Sequence, residues 1–122
     1  MRRFAIGQIA TTQRTFSRQD LAEYADLTGT TESADPRSVP HPLIGGMFSY
    51  LLGTQLPGRG TNYLKQHLEF PNPAFQGEEL TARVEIIRLR PEKKLVNLRS
   101  ECTNARGEIV CQGEALVLAE EV

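Results

Sequence analysis

The sequence is poor in the residues that build metal centres, disulfide frameworks and nucleic-acid interfaces. It has only two cysteines and two histidines, and Cys102 and Cys111 lack the close spacing of metal-binding pairs. Fourteen basic residues stand against fifteen acidic ones, for a net charge of -1, without the basic excess of a nucleic-acid binder. We therefore expect no metal site, no nucleic-acid partner and two free thiols in a reducing compartment.

Long apolar runs are also absent. No segment approaches the ~18 consecutive apolar residues of a membrane span. The N-terminal residues 1–10 are interrupted by Gly7 and Gln8, well short of the ~7 to 15 apolar residues of a secretory signal. With 122 residues, 39% of them apolar and 24% charged, the composition is that of one globular domain. We expect a single domain over residues 1–122 that is cytoplasmic and makes no membrane contact.

Two segments have helical patterns. Ser17 precedes Asp20 by three residues, as in a capping box with Asp in place of Glu. Apolar or half-apolar side chains then recur at the spacing of one helix face, at Leu21, Tyr24, Ala25 and Thr28. This predicts a short amphipathic helix over 17–28. Residues 43–56 are apolar almost all round, which predicts a helix inside the domain that stops at Pro57.

The remaining segments read as strands. Residues 63–70, 80–90, 94–103 and 108–118 alternate apolar and polar side chains, and a further strand is expected over 3–10. A helix that is apolar on all sides needs a curved sheet around it, and the open outer face of that sheet then needs a second subunit. The order of elements predicts an α+β fold, an antiparallel sheet wrapped around a long central helix, in a dimer.

Two details of strand pairing follow from the pattern. The apolar parity of the 80–90 strand slips near Ile86, as a β-bulge would produce. The last two strands flank the turn-forming segment 104–107. A two-residue loop there would place Cys102 and Cys111 diagonally across the hairpin, ~7 to 8 Å apart between backbones, beyond comfortable disulfide reach.

From Gly7 to Leu118 the sequence resembles the MaoC-like dehydratases, the hotdog-fold family that includes the (R)-specific enoyl-CoA hydratases. The segments that carry the resemblance are 16–29, 42–56, the run Pro57, Gly58, Arg59, Gly60, Thr61, Asn62, Tyr63, Leu64, and then Phe70, Pro73 and Gly77. The resemblance implies a homodimer and hydration or dehydration of a 2-enoyl or 3-hydroxyacyl thioester of coenzyme A or an acyl carrier, with no further cofactor.

The motif that carries catalysis in this family, Asp-x-Asn-Pro-x-His after the first helix, is replaced here. Read without a gap, Thr30 stands at the Asp, Glu32 at the Asn and Asp35 at the His. The family's His-Gly-Met at the start of the buried helix reads Gly45-Gly46-Met47. The resemblance thus implies an acyl-thioester site without its usual Asp and His.

The candidates for proton transfer are Asp35, His41 and Glu32, because they lie in the loop before the buried helix. Hydration needs one group to take a proton from water and another to deliver one to the alpha carbon. Asp35 and His41 could rebuild an Asp and His pair from shifted positions, since imidazole titrates near neutral pH. The alternatives are that Asp35 only starts a turn before Pro36 and that His41 faces solvent.

The binding candidates are Gly45, Gly46 and Arg59. Backbone amides of the two glycines at a helix N-terminus would polarise the thioester carbonyl. A guanidinium at Arg59 would bind a phosphate of coenzyme A or of a carrier arm. The alternatives are close helix packing for the glycines and a solvated surface for Arg59; His67 is expected to be exposed.

Three functions remain open at this point. They are a hydratase or dehydratase with a rearranged site, a catalytically inactive acyl-CoA-binding module, and a thioesterase that uses a carboxylate such as Glu32 or Asp35 as its base.

Overall fold

The computed structural model describes residues 4–28, 37–58 and 60–119. Within these ranges the elements are β1 (Ile9–Thr15), α1 (Arg18–Thr28), α2 (His41–Thr54), β2 (Thr61–Glu69), β3 (Glu79–Arg90), β4 (Leu95–Thr103) and β5 (Ile109–Ala119). A 3-10 turn at Pro91–Lys93 joins β3 to β4. The five strands form one antiparallel sheet in the order β1-β3-β4-β5-β2, with α2 against it, which confirms the predicted α+β architecture.

α1 begins where its capping residues predict. The Ser17 hydroxyl accepts a hydrogen bond from the Asp20 N–H at 3.1 Å, and the Asp20 carboxylate accepts one from the Ser17 N–H at 2.8 Å. These bonds satisfy two amides that would otherwise be free at the helix start. They also lower the pKa of Asp20. Leu21 anchors α1 in the core.

α2 packs on the concave face of the sheet. Its buried side chains are Ile44, Met47, Phe48, Leu51 and Leu52. The opposite stripe of the helix, at Pro42, Gly46, Ser49, Tyr50 and Gly53, is exposed. In the single chain the sheet thus packs on one side of the helix and leaves this stripe open. Neither helix of the described ranges is long and apolar enough to cross a membrane.

The outer face of the sheet is polar where β3 and β4 meet. Arg83 bridges Glu85 at 3.1 Å, and the strand register sets Arg83 opposite Glu101 and Glu85 opposite Arg99. Opposite charges at directly facing positions stabilise a sheet that faces water. This part of the outer face therefore carries paired charges, and the covering subunit expected for it stays a prediction.

β1 lies later in the chain than predicted, at Ile9–Thr15 and not at 3–10. Gly7 takes a positive φ of 93° and its N–H donates to the Ile86 carbonyl at 2.8 Å, so the chain enters the sheet through a turn. The strand escaped the sequence pattern because its inward positions include the polar residues Thr12 and Arg14, which pair with buried positions of β3.

The β4–β5 hairpin also departs from its predicted register. The loop between Thr103 and Ile109 is longer than two residues, and Cys102 lies directly opposite Cys111. The diagonal placement was thus wrong, although both thiols are free and fully buried. Burial raises the pKa of each thiol to about 12. The predicted bulge near Ile86 is confirmed, because the β3–β4 register shifts between Ile86 and Arg88.

β2 is an edge strand with a bulge that the sequence pattern did not predict. Its register against β5 shifts between Tyr63 and Lys65, so Leu64 leaves the regular alternation and is 53% exposed. Farther along, β2 crosses β5 at Gly113, where a Cβ atom would collide with the His67 carbonyl oxygen. Glycine at 113 therefore permits the close approach of these two strands.

Candidate functional site

A cavity of about 300 Å3 lies between α2 and β1 and is here called the β1 cavity. This volume suits a small ligand or part of a larger one. From β1 and the residues after it come Thr12, Gln13, Arg14 and Phe16. From α2 come Pro42, Leu43, Gly46, Met47 and Tyr50. The cavity thus has an apolar floor and a polar rim.

One wall of the β1 cavity is the N-terminus of α2. Pro40 caps the helix without a side-chain hydrogen bond, Pro42 has no N–H, and the Leu43 N–H donates to the Pro40 carbonyl at 3.0 Å. Within the described residues, no group accepts a hydrogen bond from the His41 N–H. The free donor at this positive helix end is therefore the amide of His41.

The side chain of His41 lies against the opposite edge of the sheet. Its ring stacks on Phe70, with centroids 3.7 Å apart and planes within 4°. Such a stack fixes the ring plane while leaving both ring nitrogens at its edge. His41 is exposed, so part of the sequence-based alternative, a solvent-facing histidine, also holds.

The two glycines of the predicted carbonyl-binding turn lie inside the helix. Because α2 begins at His41, Gly45 and Gly46 are its fifth and sixth residues, where a regular α-helix already uses the amides in its own hydrogen bonds. A Cβ at Gly45 would sit 3.9 Å from Leu68, whereas one at Gly46 would meet nothing within 4 Å. Gly46 therefore contributes open space to the β1 cavity, and its role as a donor stays a prediction.

Three of the predicted site residues, Glu32, Asp35 and Arg59, lie outside the described residues. His67 is exposed as predicted, and its Nε2 atom lies 3.3 Å from Oε1 of Glu69. Within the described ranges, no three His, Cys, Asp or Glu side chains lie close enough together to hold a metal ion.

Sequence reasoning missed one charged residue of the cavity, Arg14. Its guanidinium carbon lies 4.5 Å from the centre of the Phe16 ring. The signal was available as a strand parity, because Ala10, Thr12, Arg14 and Phe16 alternate with the outward residues of β1. A strand placed at 3–10 ends before this pattern becomes visible.

A hydrogen-bonded tyrosine joins α2 to β2. The Tyr63 hydroxyl accepts from Gln66 at 3.2 Å and from the side chain of Ser49. Burial raises the pKa of Tyr63, and these two hydrogen bonds partly oppose that shift. This contact closes the side of α2 that faces away from the β1 cavity.

Comparisons with known proteins agree on one group of relatives. The chain is 36% identical to an (R)-specific enoyl-CoA hydratase of Rhodospirillum rubrum, over 92% of this chain and 85% of that protein. It is 35% identical to the enzyme of the same name from Aeromonas caviae, over 92% of each. The solved structure of an (R)-hydratase from A. caviae superposes with a TM-score of 0.88 at 33% identity, over 95% of this chain and 97% of that one. No protein-family model matches the chain.

Proposed function

Because the chain belongs to the (R)-specific enoyl-CoA hydratase family and has its hotdog fold, we propose that it hydrates 2-enoyl thioesters or dehydrates 3-hydroxyacyl thioesters. The observation that carries the proposal is the similarity to two hydratases at 35% identity or more over 92% of the chain. The β1 cavity supports it, because an apolar space beside a helix N-terminus suits an acyl chain whose carbonyl lies at the helix end.

The proposed binding step uses the free amide of His41. A thioester carbonyl at the N-terminus of α2 would accept a hydrogen bond from this N–H, and its oxygen would gain from the positive end of the helix dipole as negative charge develops. The acyl chain would extend into the β1 cavity, over Leu43 and Met47. A phosphate of the coenzyme A or carrier arm would bind Arg59.

The proposed proton transfers use the imidazole of His41 together with Asp35 or Glu32. Neutral imidazole can take a proton from water at physiological pH. The stack on Phe70 supports this role, because it holds the imidazole in one plane at the first residue of α2. The imidazolium formed in this way, or a protonated Asp35 or Glu32 beside it, would deliver a proton to the alpha carbon, so that a complete water molecule is added across the double bond.

The test is loss of the ultraviolet enoyl absorbance of crotonyl-CoA and of a longer 2-enoyl-CoA, with thiol release measured in parallel. We expect absorbance loss without thiol release. His41→Phe keeps an aromatic ring on Phe70 but removes both ring nitrogens, so kcat should fall about 100-fold or more. His67→Ala, the matched control on exposed β2, should keep full activity. Full activity in both His41→Phe and Asp35→Asn would contradict the assignment of the acid and base.

A second candidate function is an acyl-thioester-binding protein without turnover. The observation that favours it is the replacement of the family's catalytic pair, with Thr30 at the Asp and Asp35 at the His. It predicts saturable binding of butyryl-CoA in calorimetry while the chain alone leaves both crotonyl-CoA absorbance and thiol content unchanged. Thiol release would instead indicate the thioesterase alternative.

We further propose a homodimer joined along the free edge of β2. Support comes from the exposed Tyr63 and Leu64 at this edge. Strands with an unpaired edge are templates for pairing with another chain. Sedimentation should give a dimer at micromolar concentration, and Leu64→Lys should shift it toward monomer; a monomeric wild type would overturn this part of the proposal.

The reaction as proposed takes place in the cytoplasm and needs no cofactor beyond the thioester substrate. Two facing free thiols, Cys102 and Cys111, suit a reducing compartment. If no cofactor is needed, activity should survive dialysis against EDTA followed by gel filtration. Recovery of activity only after a metal ion is added would contradict this proposal.

A further inference from the structure

Arg14 occupies a position where the fold favours an apolar residue. In the β1–β3 register Arg14 lies opposite Leu80, and the preceding inward residue Thr12 lies opposite Ala82. Leu80 and Ala82 are fully buried on the helix-facing side of the sheet. Residues that face each other across antiparallel strands share a face, so Arg14 projects toward the α2 side and lines the β1 cavity.

Arg14 forms no salt bridge with any residue that the structure describes. The acidic group whose charge reaches it is Asp20, and that carboxylate already accepts the Ser17 N–H at 2.8 Å in the helix cap. None of the described residues that line the cavity is acidic. Within the described part of the chain, the Arg14 guanidinium therefore lies at the β1 cavity without a carboxylate paired to it.

The position of the guanidinium suits recognition of an anion. Its carbon lies 4.5 Å from the centre of the Phe16 ring, and Phe16 is itself 1% exposed and thus firmly held. A guanidinium over an aromatic ring keeps its N–H groups at the edge, where they can form paired hydrogen bonds to carboxylate or phosphate. The N-terminus of α2 adds positive potential from the other wall.

We propose that the β1 cavity takes an amphiphilic anion, with its apolar part over Leu43 and Met47 and its carboxylate or phosphate on Arg14. The inference rests on the proposed function in one respect, which is the identity of the natural ligand that carries the anionic group. In a thioester substrate that source is either a phosphate of the coenzyme A or carrier arm or a carboxylate at the far end of the acyl group. The preference for an anion follows from the cavity itself.

The first experiment needs no thioester. Hexyl phosphate, hexanoate and hexanol are titrated into the full-length protein and followed by amide chemical shifts in NMR. We expect the phosphate or the carboxylate to bind about tenfold more tightly than hexanol, and the preference to shrink as NaCl is raised because Arg14 is exposed. Failure of every probe to bind, or equal and salt-independent binding of all three, would overturn the inference.

Two variants then assign the preference to one residue. Arg14→Gln should abolish it, whereas Arg99→Gln, which removes one positive charge from the outer face of β4, should leave it intact. An inward charge on an edge strand can also serve to block strand-to-strand aggregation. If Arg14→Gln aggregates but keeps the anion preference, Arg14 prevents aggregation and does not bind the anion, which would overturn the inference. Should this variant not fold, the salt dependence of the wild type still decides.

A second set of titrations identifies the source of the anion. If Arg14 binds a phosphate, Arg14→Gln weakens pentanoyl-CoA about tenfold and leaves pentanoyl-N-acetylcysteamine, which has no phosphate, unchanged. If it binds an acyl carboxylate, the variant weakens glutaryl-N-acetylcysteamine and leaves the pentanoyl form unchanged. An anion preference without any enoyl hydration would retain this inference and refute the hydratase proposal.

Discussion

The two flanks of α2 differ in how closely the sheet approaches the helix. On the β2 flank the His41 ring stacks on Phe70 at 3.7 Å, a Cβ at Gly45 would contact Leu68, and Ser49 donates to Tyr63. On the β1 flank the same helix borders a cavity of about 300 Å3. One helix is therefore sealed on one side and open on the other, and the open side is where a ligand fits.

The cause of the difference lies in the strands more than in the helix. β2 pairs closely with β5 because Gly113 of β5 has no side chain where the His67 carbonyl oxygen lies. β1 leaves space because its inward positions carry Thr12 and Arg14, which do not fill the gap beneath α2 with apolar volume. The ligand site thus depends on polar residues placed where a core would otherwise close.

The largest effect should come from breaking the closed flank with Gly113→Ala. The added Cβ overlaps the His67 carbonyl oxygen. Because this oxygen belongs to the backbone, a change of side-chain rotamer cannot relieve the clash, and β2 must shift. We expect a loss of about 3 kcal/mol or more in the free energy of unfolding, measured in urea. Gly53→Ala, where a Cβ meets nothing within 4 Å, should instead stabilise α2 by up to about 1 kcal/mol. Equal stability of the two variants would refute the close approach.

The second effect concerns the core that both flanks share. Cys102 and Cys111 have their pKa raised from 9.0 to about 12 by burial, with a further contribution to Cys111 from the charge of Cys102. The unfolded chain therefore loses these protons first as pH rises. The contribution of the two buried thiols to stability is full below about pH 8, and the free energy of unfolding should fall by about 3 kcal/mol by pH 10. Cys102→Ala/Cys111→Ala should lower stability at pH 7 but flatten its decline above pH 9; an unchanged slope would contradict buried thiols.

Filling the open flank should weaken ligand binding without loss of fold. At Gly46 a side chain would start in open space and extend into the β1 cavity, so Gly46→Leu should raise the Kd for butyryl-CoA about tenfold. Gly53→Leu, on the same exposed stripe but outside the cavity lining, is the matched control and should bind normally. Calorimetry measures both. Normal binding by Gly46→Leu would place the acyl group elsewhere.

The smallest effect should come from the stack that closes the β2 flank. His41→Ala removes the ring from Phe70 and should lower the free energy of unfolding by about 0.5 to 1 kcal/mol. His41→Phe keeps a ring there and should be close to wild type in thermal unfolding. Equal destabilisation by both variants would indicate that the imidazole nitrogens, and not the stack, stabilise this flank.

Much of the fold was predictable because local patterns and tertiary structure agree. The capping box of Ser17 and Asp20 and the slip of parity at Ile86 each depend on neighbours in sequence, and both appear as expected. β1 failed because its inward Thr12 and Arg14 break the apolar alternation for the sake of the cavity. The cysteine register failed because it depends on loop length, and the loop after Thr103 is longer than the pattern required.

The candidate site was less predictable than the fold. Sequence reasoning found His41 but placed the free helix amides at Gly45 and Gly46, because it set the start of the buried helix at residue 43. The prolines at 40 and 42 move that start to His41, since proline favours a first helical turn. Arg14 was missed because it is far in sequence from the other site residues and reaches the site only through the pairing of β1 with β3.

The sequence by itself determined the two helices, four of the five strands and the family of this chain, because capping, alternation and matching segments are encoded in residues close together along the chain. Only the tertiary structure decided which flank of α2 is open, which amide is free at its start and which arginine lines the cavity. Those properties depend on which side chains the strands distant in sequence bring to one helix, as the pairing of β1 with β3 brings Arg14 to the β1 cavity.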